Sequence, residues 1–579
     1  MAETDESTQQ GCSLGEQEAT PDARQHALES MMVPFITSLE PTSPEIIRAA
    51  PTHAALRSLA RALRRPHRMS AKVSRQTDRI AEFWSHSWHG SKWSKALTLL
   101  FLKNAFPAAV LGTIAALMGS CFVIAGVPPE MSQFSERVYL LKRSFWALCF
   151  GTTVYVLTVI FWRPRKLVFV DVLCIDQDDQ KKKALGLLNM GAFLKSSEAM
   201  LLLWDESYTR RLWCVFELAA FLYSRPTGTT PKICMRPTFV GPVNFLQTLS
   251  IVLIAIMLGL TPDQHREALW PLQFLIVTVG FYASSASYRH FFRTLETMRG
   301  DLLCFKMSDA CCVCCQKNHV TKDGRPITCD RRVVLKCLTI WFGSEEQFEE
   351  VVKTQVLNCL IDELPNGFFT YKQCLASIIP AVWMWMDLLA AHFWWNNPSH
   401  GNGPKMNQIL HFTIRGVAWC CLVIPSIIIL GVRAAYIVRA KPRLRICDML
   451  LNFVVVVFNA GLFMAGVMME QLGWMLTGYL PKEWGETFDF SNNVVKHEFS
   501  VLWVGCIFMI FTYLPLTVFL FACVGAYPTT RRRNATTMQG QHTADLQDAD
   551  DEEKSAVGGT SDLTHQDLNS EPSQTKLSF

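Results

Sequence analysis

Eight long apolar runs, each parted from the next by charged or polar residues, dominate the pattern of this 579-residue chain. They cover Ala105–Gly126, Ser144–Trp162, Val243–Leu260, Ala268–Tyr288, Thr370–Trp395, Phe412–Val438, Met449–Glu470 and Phe499–Tyr527. A run of about 18–25 residues with few charges is long enough to cross the hydrocarbon core of a bilayer as a helix. A soluble core accommodates one or two such helices, but not eight. The pattern predicts an α-helical polytopic membrane protein with about eight transmembrane helices: 105–162 carries the first two, 243–288 the next two and 370–527 the last four.

A shorter pattern lies between the second and third runs. Leu167–Leu173 reads as a buried strand, Lys181–Leu194 has apolar residues at helical spacing, Ala199–Trp204 is a second strand and Arg211–Tyr223 a second helix. Strand, helix, strand, helix argues a parallel α/β sheet. Ligands of such sheets bind outside the carboxyl ends of the strands. Those ends fall at Cys174–Gln177 and Trp204–Tyr208, where polar residues gather.

Charge placement orients the whole. Arg163–Pro242 and Arg289–Phe369 are rich in Lys and Arg, as are Arg439–Arg445 and Arg531–Arg533, whereas 261–267 and 396–411 hold one such residue each. Positive charge favours the cytoplasmic side, so both termini are expected there. None of the 20 cysteines falls in the four loops expected outside, 127–143, 261–267, 396–411 and 471–498. That distribution matches reduced thiols rather than a disulfide framework. No cleavable signal peptide is expected, because no basic segment leads into an apolar stretch at the N-terminus. Residues 1–79 read as a disordered to basic N-terminal arm. Its part 48–79 carries Arg57, Arg61 and Arg64 beside Leu56, Leu59 and Leu63, a pattern suited to an anionic lipid surface or to a solvated linker. Residues 528–579 form a polar, acidic tail expected to be disordered. No nucleic-acid partner is expected.

The residues of the α/β segment carry a resemblance. Val170-Asp-Val-Leu-Cys-Ile-Asp-Gln-Asp-Asp179 resembles the strand-and-loop signature of HET domains. Leu201–Leu218, with Tyr208 in a loop and Trp213-Cys-x-x-Glu217-Leu opening a helix, is similar to the corresponding stretch of TIR domains; Phe83-Trp-Ser-His-Ser-Trp88 resembles their first strand. The layout looks like that of multi-pass TIR-like proteins of protists. The resemblance implies a small flavodoxin-like domain built from 80–95 and 163–235, acting in interaction or signalling, with self-association or other TIR-like domains as partners. The first strand is then separated from the second by two membrane spans, where TIR domains have one helix. Many TIR domains cleave NAD, and the glutamate of this helix is their catalytic residue, which is Glu217 here. On that reading Trp213, Tyr208 and Asp176 contribute to a cofactor-binding site with NAD as the substrate; no other cofactor is implied. The alternative is that Glu217 pairs with Arg210 or Arg211 and that Trp213 is a core residue. Ser85 and His86 read as strand-end residues rather than a catalytic pair, since no third group is placed to orient the histidine.

Two further features bear on function. Residues 289–369 form a Cys-rich, helical loop, in which Cys311, Cys314, His319 and Cys329 offer a weak zinc-ligand set. Neighbouring Cys312 and Cys315 leave the register open, and acylation or plain thiols are equally compatible with the cluster. Ionisable residues inside spans mark functional sites by default. They are few: Asp387 and His392 in the fifth run and Arg415 in the sixth, with an Asp387–Arg415 pair as the structural explanation. Asn452 and Asn459 share a face of the seventh run, and Pro380, Pro425 and Pro515 interrupt three of the last four. A transporter or channel formed by the last four helices is thus a third functional reading.

Overall fold

A computed structural model of the chain describes residues 21–64, 73–127, 144–226, 229–260, 266–319, 329–361, 370–395, 406–476 and 502–524. The tail 528–579, the segment 1–20 and the arginines Arg531–Arg533 lie outside the described residues.

All eight apolar runs are helical where described. Lys92–Ile124, Ile409–Ile437, Arg445–Gly473 and Gly505–Val524 are each long and apolar enough to cross a membrane. A fifth candidate is composite, with Tyr371–Ser377 and Ile379–Ala391 meeting at a 60° bend where Pro380 enters. The second run becomes the 16-residue helix Trp146–Phe161. The third and fourth lie in the helices Val240–Leu260 and Arg266–Leu303. The Arg445–Leu476 helix turns Met449, Leu450, Phe453, Val457 and Met468 outward. A continuous exposed apolar face of this kind is unfavourable in water and is the kind of surface that lipid covers.

Pro425 shows how an interrupted helix is kept satisfied. A proline cannot donate to the carbonyl four residues earlier, here that of Cys421. The hydroxyl of Tyr371 donates to that oxygen at 2.6 Å, and the helix passes through a π segment, Ala418–Val423, just before the proline.

Six strands form one mixed sheet: β1 (Arg48–Pro51), β2 (Arg75–Gln76), β3 (Ile80–His86), β4 (Leu167–Phe169), β5 (Ser197–Trp204) and β6 (Ile233–Pro237), in the order β2-β1-β4-β3-β5-β6. The last four are mutually parallel, and β1 runs antiparallel to both β2 and β4. The stretch expected as a basic arm thus supplies two strands as well as the helix Pro21–Ser38. In the helix Thr52–Arg64 the chain kinks at Arg57–Ala60; Leu56 and Leu63 turn into the protein core, and Arg57 and Arg61 stay exposed. Glu29, fully buried on the Pro21–Ser38 helix, pairs with Lys336 (2.8 Å) and Arg332 (3.1 Å) of the helix Asp330–Phe342.

The strand pairing joins the two ends of the first helical hairpin. Glu82 of β3 lies opposite Val168 of β4, and Phe83 opposite Phe169, so the crossover between these neighbours is the helix pair Lys92–Ile124 and Trp146–Phe161. β4 is shorter than the apolar pattern Leu167–Leu173 suggested. It ends at Phe169, and Asp171–Cys174 closes into a helical turn on the Val170 carbonyl. β3 and β5 are buried along most of their length, as strands covered on both faces are. Phe83 stacks on Phe169 at 4.6 Å, and Phe193 packs against Phe169 at 4.5 Å.

Close approach and buried polar contacts tie the helices to one another. A Cβ on Gly241 would lie 2.3 Å from the Leu97 carbonyl carbon and the Thr98 nitrogen; its N–H donates to Thr98 Oγ1 at 3.0 Å. Arg289, just past the fourth run, is fully buried and donates to the carbonyls of Val438 and Asp448, to the Asp448 carboxylate and to Asn452 Oδ1. It pins the Val438–Asn452 connection to the long Arg266–Leu303 helix. The expected Asp387–Arg415 pair is not formed. Asp387 accepts from the N–H groups of Ala147 (2.9 Å) and Leu148 (2.8 Å) at the start of the Trp146–Phe161 helix, while Arg415 pairs with buried Glu470 at 2.5 Å. A carboxylate at a helix start satisfies donors that have no partner within the helix. The side chain of His392 lies outside the described residues.

Candidate functional site

Polar residues collect at the carboxyl ends of β3, β4 and β5. From β3 come Ser85 and His86, with Ser87 just beyond it; from the turn after β4 comes Asp171; from the loop after β5 come Asp205, Ser207 and Tyr208. The helix Leu212–Tyr223 lays Glu217 over them. Ser85 Oγ donates to Glu217 Oε2 at 2.5 Å and lies 2.7 Å from the Tyr208 hydroxyl. Glu217 is a partly exposed residue whose carboxyl group is closely surrounded by protein. Burial pushes that carboxyl up to about 8; the Ser85 hydrogen bond works against the rise, and the negative charge of Asp171 adds to it.

A second group adjoins the first. Lys95, in the first turn of the Lys92–Ile124 helix, is buried and pairs with Asp205 at 3.2 Å. It also donates to the Ser87 carbonyl. Gly90 is required beside this pair, since a Cβ there would meet the Asp205 carboxylate at 2.1 Å. Trp88 Nε1 donates to Asp171 Oδ2 at 3.1 Å, and its ring meets His86 edge-on at 4.5 Å. Burial holds His86 below the ordinary imidazole range, with Asp171 pulling the other way. Its Nε2 is buried and has no hydrogen-bond partner among the described residues.

The predicted residues separate into three places. Glu217 and Tyr208 share the site through Ser85. Tyr208 is buried and stacked on Trp204 at 5.1 Å, so its ring is a wall rather than an open platform. Trp213 faces the Cys-rich segment instead, donating to Asp330 at 3.2 Å and packing on Phe216 at 5.5 Å. Asp176 caps a turn, accepting from the Asp178 N–H and pairing with Lys182 at 3.6 Å. The acid whose charge reaches Glu217 is Asp171, five residues earlier, because β4 stops early. Neither Arg210 nor Arg211 forms the expected pair with Glu217; the Arg211 guanidinium approaches His89 at 3.4 Å. A groove of about 480 Å³, lined by Val33, Pro34, Leu335 and Lys336 among others, contains none of these residues.

Of the four proposed zinc ligands, three come together and one does not. Cys314, His319 and Cys329 are joined by Cys315, whereas Cys311 is exposed and outside the group. No family model, curated protein or solved structure matches this chain.

Proposed function

We propose that this is a multi-pass membrane protein with both termini cytoplasmic, and that its sheet unit is a TIR-like binding module acting in signalling at the membrane face. The observation that carries the reading is the convergence of Ser85, Asp171, Tyr208 and Glu217 at the carboxyl ends of three adjacent parallel strands. In chain order the parallel strands β3 to β6 lie 2-1-3-4, the arrangement of a flavodoxin-like sheet, whose ligands bind at this edge. Lys and Arg gather at every second connection between the apolar runs, so the basic loops fall on one side, which supports the orientation, with eight spans as the matching count.

A second reading, cleavage of NAD at the nicotinamide bond, is favoured by the environment of Glu217. Glycosidic cleavage develops oxocarbenium character, which a carboxylate stabilises. Burial favours the protonated form of the Glu217 carboxyl near neutral pH. A cationic nicotinamide ring beside it would favour the ionised form, so ligand binding itself would create the charge the chemistry needs. Ser85 is placed to hold that carboxylate in position.

One experiment separates the two readings: NAD consumption by the purified full-length protein, with Glu217→Ala beside it and thermal unfolding as the check on folding. Turnover in the parent that disappears in the variant supports a membrane-tethered NAD hydrolase. Folded parent protein without turnover removes that reading and leaves a binding module.

A further inference from the structure

The geometry points to a zinc site made by Cys314, Cys315, His319 and Cys329, which locks the Cys-rich segment onto the start of the Glu217 helix. The four ligand atoms lie within 4.8 Å of one another. They come from two pieces of chain, the short helical turn Val313–Gln316 with the residues just after it, and the N-cap of the helix Asp330–Phe342. Asn318 and His319 both take positive φ (51° and 58°), and the His319 N–H donates to the Cys314 carbonyl at 2.9 Å. That turn folds the imidazole back over the two cysteines. His319 Nε2 is buried and has no hydrogen-bond partner among the described residues, a cost that metal ligation would remove.

Sulfur spacing decides between the two possible sets. With Zn–S bonds of about 2.3 Å, two thiolates on one tetrahedral zinc stand about 3.8 Å apart. Cys315 and Cys329 stand 3.7 Å apart. In the competing set, Cys312, Cys314 and Asp330, the two sulfurs are 2.8 Å apart, too close to be ligands of one ion. The Asp330 N–H donates to Cys314 Sγ at 3.3 Å, a support that a metal-bound thiolate accepts well. On binding, the three thiols release their protons to water and histidine ligates as the neutral ring.

The position of the site gives the metal its role. The Cys311 N–H donates to the Arg210 carbonyl at 2.7 Å, and Trp213 Nε1 donates to the Asp330 carboxylate. The first contact joins the Cys-rich segment to the residue before the N-cap, and the second to the first turn, of the helix that carries Glu217.

The test is metal analysis of the purified full-length protein after dialysis. About one zinc per chain is expected, retained in Cys311→Ser and lost in Cys329→Ser and His319→Ala. Thiol labelling of the native parent protein keeps the test independent of whether those variants fold. Exposed Cys304 and Cys311 should react at once, whereas Cys314, Cys315 and Cys329 should react only after a chelator is added. A parent protein that binds no zinc even when zinc is supplied would overturn the proposal. So would equal loss in Cys311→Ser and Cys329→Ser, prompt labelling of all five thiols, or a thioester-linked acyl group on Cys315 or Cys329.

Discussion

Glu217→Gln removes one titrating proton and leaves the shape of the side chain. Burial holds the Glu217 carboxyl up to about 8, against 4.5 for the unperturbed side chain. Between those values the folded chain keeps a proton that the unfolded chain has released, so this group makes folding less favourable as pH rises. Its contribution is intact below the lower value and lost once pH passes the upper one. The slope is at most about 1.4 kcal/mol per pH unit, and the whole interval sets a ceiling of about 5 kcal/mol. Glu217 keeps partial exposure and the Ser85 hydrogen bond favours its charged form, so a loss of about 2 kcal/mol between pH 5 and pH 8 is expected. Glutamine accepts the same hydrogen bond and carries no charge. Thermal unfolding of both full-length proteins in one mild detergent, followed by tryptophan fluorescence, gives the comparison. The difference between them should be near zero at pH 5 and grow in favour of Glu217→Gln toward pH 8. His86, held low by burial, has the opposite dependence, but it is common to both proteins and cancels. A difference that stays flat over this range, or a parent protein more stable than the variant at pH 8, would refute the reasoning.

Two further substitutions, with one control, test how the helices are joined. Gly241→Ala places a methyl group against the Leu97–Thr98 backbone and should cost about 1–3 kcal/mol; Gly461→Ala, with open space around the position, should be neutral or slightly stabilising in the same unfolding assay. Asp387→Ala deprives the Ala147 and Leu148 N–H groups of their acceptor and should cost about 1–2 kcal/mol. An unchanged melting temperature would show that this carboxylate is not the cap of the Trp146–Phe161 helix.

What the sequence disclosed follows from how local each signal is. The long helices were legible because an apolar run needs no partner to be recognised, and the alternation from Leu167 to Tyr223 was legible for the same reason. β1 and β6 were not: Arg48-Ala-Ala-Pro has no β-branched residue, and Ile233–Pro237 is five residues without a clear alternation. Both are strands through their pairing, β1 with β2 and β4, β6 with β5. Asp171 was not singled out because the end of β4 was hidden: apolar Val172 and Leu173 prolong the strand pattern but are buried in the turn that follows. Taking Cys311 for Cys315 turned on the left-handed turn at Asn318 and His319, which spacing alone does not reveal. Asp387 and Arg415 were matched by charge, but buried charges are placed by whichever groups the packing brings near. Here those are a helix start and Glu470, a residue at the very end of its own apolar run.

The pairing of β3 with β4 has a consequence for how the chain is made. About 80 positions lie between His86 and Leu167, and the first helical hairpin occupies most of them. During synthesis β3 therefore emerges well before its neighbour and has no lateral partner on the β4 side until the hairpin has been threaded. If the pair crosses the membrane as proposed, a hairpin inserted with its two ends on opposite faces would strand β4, leaving an open edge on β3 and a missing wall beside Glu217. On that topology completion of the sheet would record correct insertion, because a chain that failed the step would be left with an unpaired strand. The same interruption means that no contiguous stretch lacking the hairpin can be cut out to give the sheet unit alone.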